Sequence, residues 1–235
     1  MEESRATEYL VHFGLSRQEA LVYEQLLAGG KQTGYEIARD TGISRSNAYT
    51  SLAALVEKGA AYLVEESAKK YIPACPEEFC GNRIRRMQEE QRWLVENLSR
   101  PAPEEEGYIT VDREENIKDR IYNLLDQAEE RVYFSCSAVC LEQFRGKLSA
   151  MAKSGKKIVL ITDRPLVMEG AVVYVTEERG DQIGLIADSR YVLSGEFGQG
   201  SMNTCLYSGQ KNFVRLFKTA MANEIELIKI RKGDR

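Results

Sequence analysis

The stretch Ala38–Leu55, "ARDTGISRSNAYTSLAAL", decides how the first third of the chain folds. Its apolar residues Ala48, Leu52 and Leu55 recur at spacings of four and three, which places them on one face of a helix. The other face carries Ser44, Arg45, Ser46, Asn47, Tyr49 and Thr50, and no acidic residue occurs between Asp40 and Glu57. Ahead of this helix, Thr41-Gly42-Ile43 reads as a tight turn. Gly42 permits the positive φ that a sharp interhelical bend needs. Ile43 is placed to plug the gap between the two helices, and Ser44 is the expected N-cap.

Working outward, Ser16 with Glu19 three residues later forms a capping box. The helix it starts is expected to bury Ala20, Tyr23, Leu26 and Leu27 and to stop at Gly29-Gly30. A short second helix runs from Thr33 or Gly34 to Asp40 with Ile37 and Ala38 inward, and the third ends near Lys58-Gly59. Then AAYLVEE and KKYIPA alternate apolar and polar residues around a Glu66-Ser67-Ala68 tip, the pattern of a hairpin.

Three helices, a glycine turn between the second and third, and a hairpin predict a winged helix-turn-helix over residues 1–75. In that arrangement the third helix enters the major groove by its N-terminal part. Arg45 suits guanine and Asn47 suits adenine. Ser44, Ser46, Tyr49 and Thr50 reach phosphate oxygens, and Lys69 and Lys70 at the hairpin tip reach the flanking backbone. The competing use of such a face is a solvated surface in a protein-interaction module. The acid-free helix face and the paired lysines favour duplex DNA.

The whole chain gives that expectation no help. It has 235 residues, a net charge of -4 and a pI near 5.4, so the case for nucleic acid rests on this local surface. No apolar run approaches the roughly 18 residues of a membrane span. The acidic N-terminus MEESRATEYL lacks the pattern of a secretory signal, so a cytoplasmic protein is expected. The five cysteines, an odd number without such a signal, argue against a disulfide framework.

Residues 76–100 read as one long helix. Cys80, Ile84, Met87, Gln91, Leu94 and Leu98 follow one another at spacings of 4, 3, 4, 3 and 4, a coiled-coil seam. Dimerisation through Ile84, Met87, Gln91, Leu94 and Leu98 is the preferred expectation, and packing on the helix's own domain is the other. Residues 101–107, PAPEEEG, form a linker that can bury nothing. From residue 108 to 235 helical patterns alternate with the β-branched runs RVYFSC, KIVLIT, AVVYVT, QIGLIA and RYVLS. The first two runs, joined by a helical stretch near Leu141 to Lys153, form a βαβ unit, so a parallel α/β sheet is expected. A helix from about Gln210 to Ile230 ends the domain. GEFGQG, Gly195 to Gly200, reads as a loop between strands.

The segments FGLSRQEALVYEQLL, TGYEIARDTGISRSNAYTSLAALVEKG and KKYIPACPEEF resemble the TrmB family of transcriptional regulators over about Tyr9 to Phe79. The resemblance implies a homodimer that binds a palindromic operator through its winged helix, joined by a coiled-coil helix to a C-terminal effector domain. It also implies that residues 108–235 form an α/β domain similar to phospholipase D. GLIADSRYVLSG resembles the strand–turn–strand closing that fold's H-x-K-x4-D motif, with Asp188 at the aspartate position. Asp181 and Ile183 stand where that motif has its histidine and lysine, and Gly200-Ser201-Met202-Asn203 is similar to its G-S-x-N. The resemblance thus implies the fold without the catalytic residues.

Phosphodiester cleavage on that fold needs histidine as nucleophile and as acid. The chain has one histidine, His12, placed ahead of the first expected helix of the DNA-binding segment. No catalytic residue, metal site or cofactor is therefore expected. Cys136-x3-Cys140 and Cys75-x4-Cys80 lack the spacing and histidine partners of common zinc sites. Effector binding is expected beyond the carboxyl ends of parallel strands. There Ser137, Asp163 and Arg164 offer a hydroxyl, a carboxylate and a guanidinium to a small polar, sugar-like molecule. Asp188 and Asn203 form a second candidate pair by resemblance. The alternatives are a phosphodiesterase or nuclease with a degenerate phospholipase D-like domain, and a thiol-based redox regulator using Cys136.

Overall fold

A computed structural model describes residues 5–65, 68–99, 107–177, 179–198 and 202–233, in two compact units that divide after Arg100. The expected linker lies outside the described residues except for Gly107, as do Glu66 and Ser67 of the hairpin tip and Gly200-Ser201.

The first unit contains α1 (Arg5–His12), α2 (Arg17–Gly29), β1 (Gln32–Thr33), α3 (Gly34–Thr41), α4 (Arg45–Lys58), β2 (Ala61–Glu65), β3 (Lys69–Pro73) and α5 (Pro76–Asn97). The three antiparallel strands are ordered β1-β3-β2. This is a winged helix-turn-helix with an additional first helix. Sequence periodicity passes over α1 because none of its residues is buried, and it places His12 at the end of that helix. Leu27 of α2 is exposed, and Val22 takes the buried position expected of it. The Ser16–Glu19 capping box forms in both directions.

The core of this unit joins Tyr23 and Leu26 of α2, Ile37 of α3, Leu52 and Leu55 of α4 and Phe79 of α5. Tyr23 donates its hydroxyl to the Ala74 carbonyl at 2.8 Å, pinning α2 to the chain just before α5. Phe79 packs on the ring of Tyr23 at 5.7 Å. The first turn of α5 is thus part of the core, whereas every residue from Ile84 to Ser99 is exposed.

The second unit contains β4 (Ile109–Asp112), α6 (Glu114–Gln127), β5 (Arg131–Ser135), α7 (Ala138–Lys153), β6 (Lys157–Thr162), β7 (Ala171–Val175), β8 (Gln182–Ala187), β9 (Tyr191–Glu196), β10 (Thr204–Ser208) and α8 (Lys211–Lys232). Its seven strands are ordered β4-β10-β9-β8-β5-β6-β7. Only β5, β6 and β7 run parallel, and the remaining neighbours are antiparallel. The expected parallel sheet is therefore mixed. The reason is local: Asp188 and Ser189 adopt positive φ values of 49° and 58°, and Arg190 N–H donates to the Ala187 carbonyl at 2.9 Å. That turn, within the three-residue connection Asp188–Arg190, folds β9 back on β8. Gly195 and Glu196 belong to β9 rather than to a loop.

The sheet's two faces are unequal. One carries Ile117, Leu125, Phe134, Phe144, Leu160 and Leu185 in a large core under α6 and α7. The other carries a smaller cluster around Ile161, Ile186 and Val192, covered by Val214, Met221 and Ile228 of α8. Among the described residues no helix is long and apolar enough to cross a membrane.

Candidate nucleic-acid interface

The turn before α4 is built by two backbone devices. Gly42 caps α3 at φ 75°, its N–H donating to the Ala38 carbonyl at 3.1 Å. Ser44 then starts α4, its hydroxyl accepting from Asn47 N–H at 3.2 Å. Between them Ile43 is half-buried against the core, as its place in the turn requires.

From Ser44 to Thr50 only Ala48 turns inward; Ser44, Arg45, Ser46, Asn47, Tyr49 and Thr50 are all exposed. The first turn of α4 carries no acid. Two of the six also have neighbours within the protein. The Arg45 guanidinium lies over the Tyr35 ring at 4.6 Å. The Tyr49 ring lies against Gly34, where an added Cβ would come within 2.5 Å of it, so α3 starts with the one residue that leaves room for this ring. Both contacts hold the start of α4 against α3 while leaving its outer edge open.

The hairpin contributes less positive charge than its sequence advertises. Lys69 is exposed but stands opposite Glu65. Lys70 is half-buried, between Val64 and Thr33 in register, and shares its surroundings with Glu36.

Residues 10–77 match the family model described as sugar-specific transcriptional regulator TrmB. The match spans the winged helix and the start of α5. Two curated relatives accompany this match. One is the uncharacterized protein YrhO of Bacillus subtilis (strain 168), 21% identical over 239 residues, covering 97% of this chain and 87% of that one. The other is the HTH-type sugar sensing transcriptional regulator TrmBL1 of Pyrococcus furiosus, 26% identical over 157 residues, 63% of this chain and 45% of that one. Among solved structures, the archaeal chromatin protein TrmBL2, reported with a novel mode of DNA binding, is similar at TM-score 0.46 and 19% identity, covering 96% of this chain and 98% of that chain. NucT from Helicobacter pylori is similar at TM-score 0.42 and 12% identity, covering 52% of this chain and 96% of that chain.

Behind the winged helix, α5 and its C-cap residue Leu98 display Ile84, Met87, Leu94 and Leu98 of the expected seam, each 45–62% exposed, with Trp93 and Val95 beside them. Gln91 is exposed on the same line.

In the second unit the structure separates the expected effector residues. Ser137 caps α7, its hydroxyl accepting from Cys140 N–H at 3.3 Å. Asp163 accepts from Ala138 N–H at 2.7 Å, so both are engaged by the start of one helix, and Arg164 is exposed beside them. Asp188 lies at the opposite end of the sheet. Its carboxylate accepts from the N–H groups of Glu129, Glu130 and Arg131 at 2.7, 2.9 and 2.8 Å. Burial pushes that carboxyl up, but the three donors, with Arg190 nearby, outweigh it and hold it below its ordinary value.

Asn203 stands at the far end of the β9–β10 ladder, its amide bonded to the backbone of Gly198. At about 3.3 Å per residue the ladder keeps it some 15–20 Å from Asp188. Those two do not form a pair, because Asp188 follows the C-terminal end of β8 whereas Asn203 precedes the N-terminal end of β10, and the two strands run in the same direction on either side of β9. Ile183 is buried in the large core.

Three cavities of about 430, 500 and 410 Å³ lie instead along α8. The last, at the carboxyl ends of β5 and β9, is bordered by Ser135, Arg179 and Glu224, with Arg179 and Glu224 ion-paired. The Ser135 hydroxyl, on a residue 2% exposed, has no partner in the described structure. Sequence reasoning missed this set because its residues come from three separate elements with no shared spacing.

The thiols are poorly placed for chemistry. Burial first, then the neighbouring Cys140 thiol, pushes Cys136 well up, and burial pushes Cys205 up to about 12. Both therefore stay protonated, whereas the thiolate is the reactive form. Among the described residues no group of three metal-ligating side chains comes together.

Proposed function

We propose that the protein is a cytoplasmic, homodimeric transcriptional regulator that binds a palindromic operator through α4 and answers to a small-molecule effector in its C-terminal domain. The observation that carries this is the continuous outer face Ser44–Thr50, free of acid, pre-capped, and backed by a packed inner face. Arg45 and Asn47 read bases, and Ser44, Ser46, Tyr49, Thr50, Lys69 and Lys70 hold phosphates.

The family-model match of the winged helix, and the relatives whose names report sugar sensing and DNA binding, support the same reading. The exposed apolar stripe of α5 supports the dimer, since a helix with such a stripe gains by covering it. Phe79 fixes α5 to the winged helix, so the pairing of two α5 helices sets the separation of two α4 helices. A two-fold dimer then demands inverted half-sites. An effector acts by preferring one dimer arrangement, a coupling of typically ~1–3 kcal/mol.

DNA recovered by selection from a random duplex pool with the full-length protein tests this. The result expected is an inverted repeat. Retention of no sequence over background overturns the operator reading.

A further inference from the structure

Two of the cavities along α8 adjoin. They share walls at Ser189 and Lys218, and together they run from the β5–β7 surface to the β8–β9 turn. Their two halves differ in chemistry. The inner half, about 430 Å³, is floored by Tyr133, Val159, Val172 and Tyr174 and roofed by Met221 and Ile225 of α8, with Arg131, Lys157 and Glu226 also on its walls. The outer half, about 500 Å³, is ringed by Arg190, Lys211, Arg215 and Lys218, and no acidic side chain borders it among the described residues.

In a chain whose net charge is -4, Lys211, Arg215 and Lys218 have no ion-pair partner among the described residues, and Arg190 feels Asp188 nearby without pairing to it. Lys211, Arg215 and Lys218 follow one another at spacings of four and three, so one helix face presents all three. They also sit in the first half of α8, whose first turn carries no acid and whose N-cap makes no side-chain bond. Of the three only Lys211 lies in the first turn, where a cation opposes the helix dipole and a bound anion relieves that cost.

The nearby carboxylates are already occupied. Asp188 is held by three backbone N–H groups. Glu226, beside the inner half, pairs with Lys229 at 3.0 Å.

We propose that this double cavity binds a phosphorylated small molecule whose apolar or aromatic body lies between Tyr133, Tyr174 and α8 and whose phosphate is held by Arg190, Lys211, Arg215 and Lys218. The combined volume lies in the range of small-molecule sites, which are mostly apolar with a few convergent polar groups. The concavity and the aromatic floor favour a small anion over a nucleic-acid backbone, which needs only protruding cations. The proposal deepens the effector reading and rests on it for its consequence. Binding itself is measured without DNA, so a failure of this site and a failure of the regulatory reading are separable.

The test uses the full chain, wild type and Arg215→Ala/Lys218→Ala. Both residues are exposed, so the variant keeps its fold, and an unchanged circular dichroism spectrum checks this. Thermal unfolding is followed with AMP, glucose 6-phosphate and inorganic pyrophosphate, and with adenosine and glucose as uncharged counterparts. At least one phosphorylated organic compound is expected to raise Tm by several degrees at saturation. Its affinity in calorimetry is expected to fall at least tenfold in the variant, and adenosine and glucose are expected to leave Tm unchanged. No shift with either organic phosphate, equal binding by the variant, or an uncharged compound binding as well as its phosphate overturns the proposal. A shift with a short DNA duplex alone, lost in the variant, also overturns it and assigns the cations to the nucleic-acid backbone.

Discussion

The guanidinium of Arg45, first residue of the helix expected to enter DNA, lies over the ring of Tyr35, 4.6 Å from its centre. Such a stack is worth about 0.5–1 kcal/mol at an exposed site. It limits the directions in which a long, flexible side chain points before DNA arrives. Tyr35→Ala is therefore expected to weaken binding to the selected operator about two- to fivefold while leaving non-specific binding unchanged. Fluorescence anisotropy with operator and scrambled duplexes checks both arms.

Arg45→Ala and Lys69→Ala are expected to act differently. Loss of Arg45 costs ~1–3 kcal/mol and relaxes preference at one base position of each half-site. Loss of Lys69 weakens all sequences alike and flattens the dependence of log affinity on log salt by about one unit per chain. Titrations of a set of single-base operator variants at several salt concentrations separate the two.

Met87→Asp/Leu94→Asp is expected to leave the winged helix folded, because both side chains are exposed and lie beyond the buried Phe79 anchor. It is expected to turn a dimer into a monomer in analytical ultracentrifugation and to lower operator affinity at least 100-fold. A wild-type chain that sediments as a monomer at micromolar concentration would remove the dimer from the account.

The architecture of the first unit is largely legible in the sequence because local rules coincide there. The Ser16–Glu19 box, the Gly42 turn, the Ser44 cap and the spacing of Ala48, Leu52 and Leu55 each act within a few residues. The helix α1 is not legible, since its apolar residues find their partners on α2 rather than along its own periodicity. In the second unit the run "QIGLIADSRYVLS" identifies two strands joined by a turn, and the left-handed pair Asp188-Ser189 sets their antiparallel direction; aspartate tolerates that conformation, but without a following Gly the turn is a weak signal in the sequence. The short strands β4 and β10 escape notice because they are made by pairing, β4 with β10 and β10 with β9, rather than by a pattern of their own. Lys211, Arg215 and Lys218 are visible as a helical face in the sequence. Their convergence with Arg190 needs the fold.

Asp188→Ala is expected to destabilise the second unit by about 2–3 kcal/mol, since three backbone donors lose a charged acceptor. The folded carboxyl lies below its ordinary 3.8, so its contribution is present above that pH and is lost as pH falls through the lower, folded value. The gap between wild type and variant in urea titrations is therefore expected to be constant from pH 5 to 7 and to close below about pH 4. Equal stability at pH 7 would show that the turn does not depend on this carboxylate.

Cys75 is expected to react with a thiol reagent within minutes in the folded protein, and Cys136, Cys140 and Cys205 only on unfolding, because the first is exposed and the others are buried. Burial raises the Cys136 and Cys205 thiols and pushes Tyr23 up to about 12. Groups raised on folding stabilise the protein below their unfolded values and stop doing so as pH rises. Stability is thus expected to decline above the ordinary thiol value of 9.0. Fast modification of Cys136 in the native protein would support the redox reading instead.

The most direct measurement is the affinity of full-length wild type and Arg45→Ala/Asn47→Ala for a duplex selected from a random pool, taken at 50 mM and 200 mM salt. Wild type is expected to bind with a steep loss of affinity between the two, and the double variant to lose at least 100-fold on that duplex while retaining the same circular dichroism spectrum. Equal binding by both proteins, or no binding by either at 50 mM salt, would contradict the claim that the outer face of α4 reads DNA.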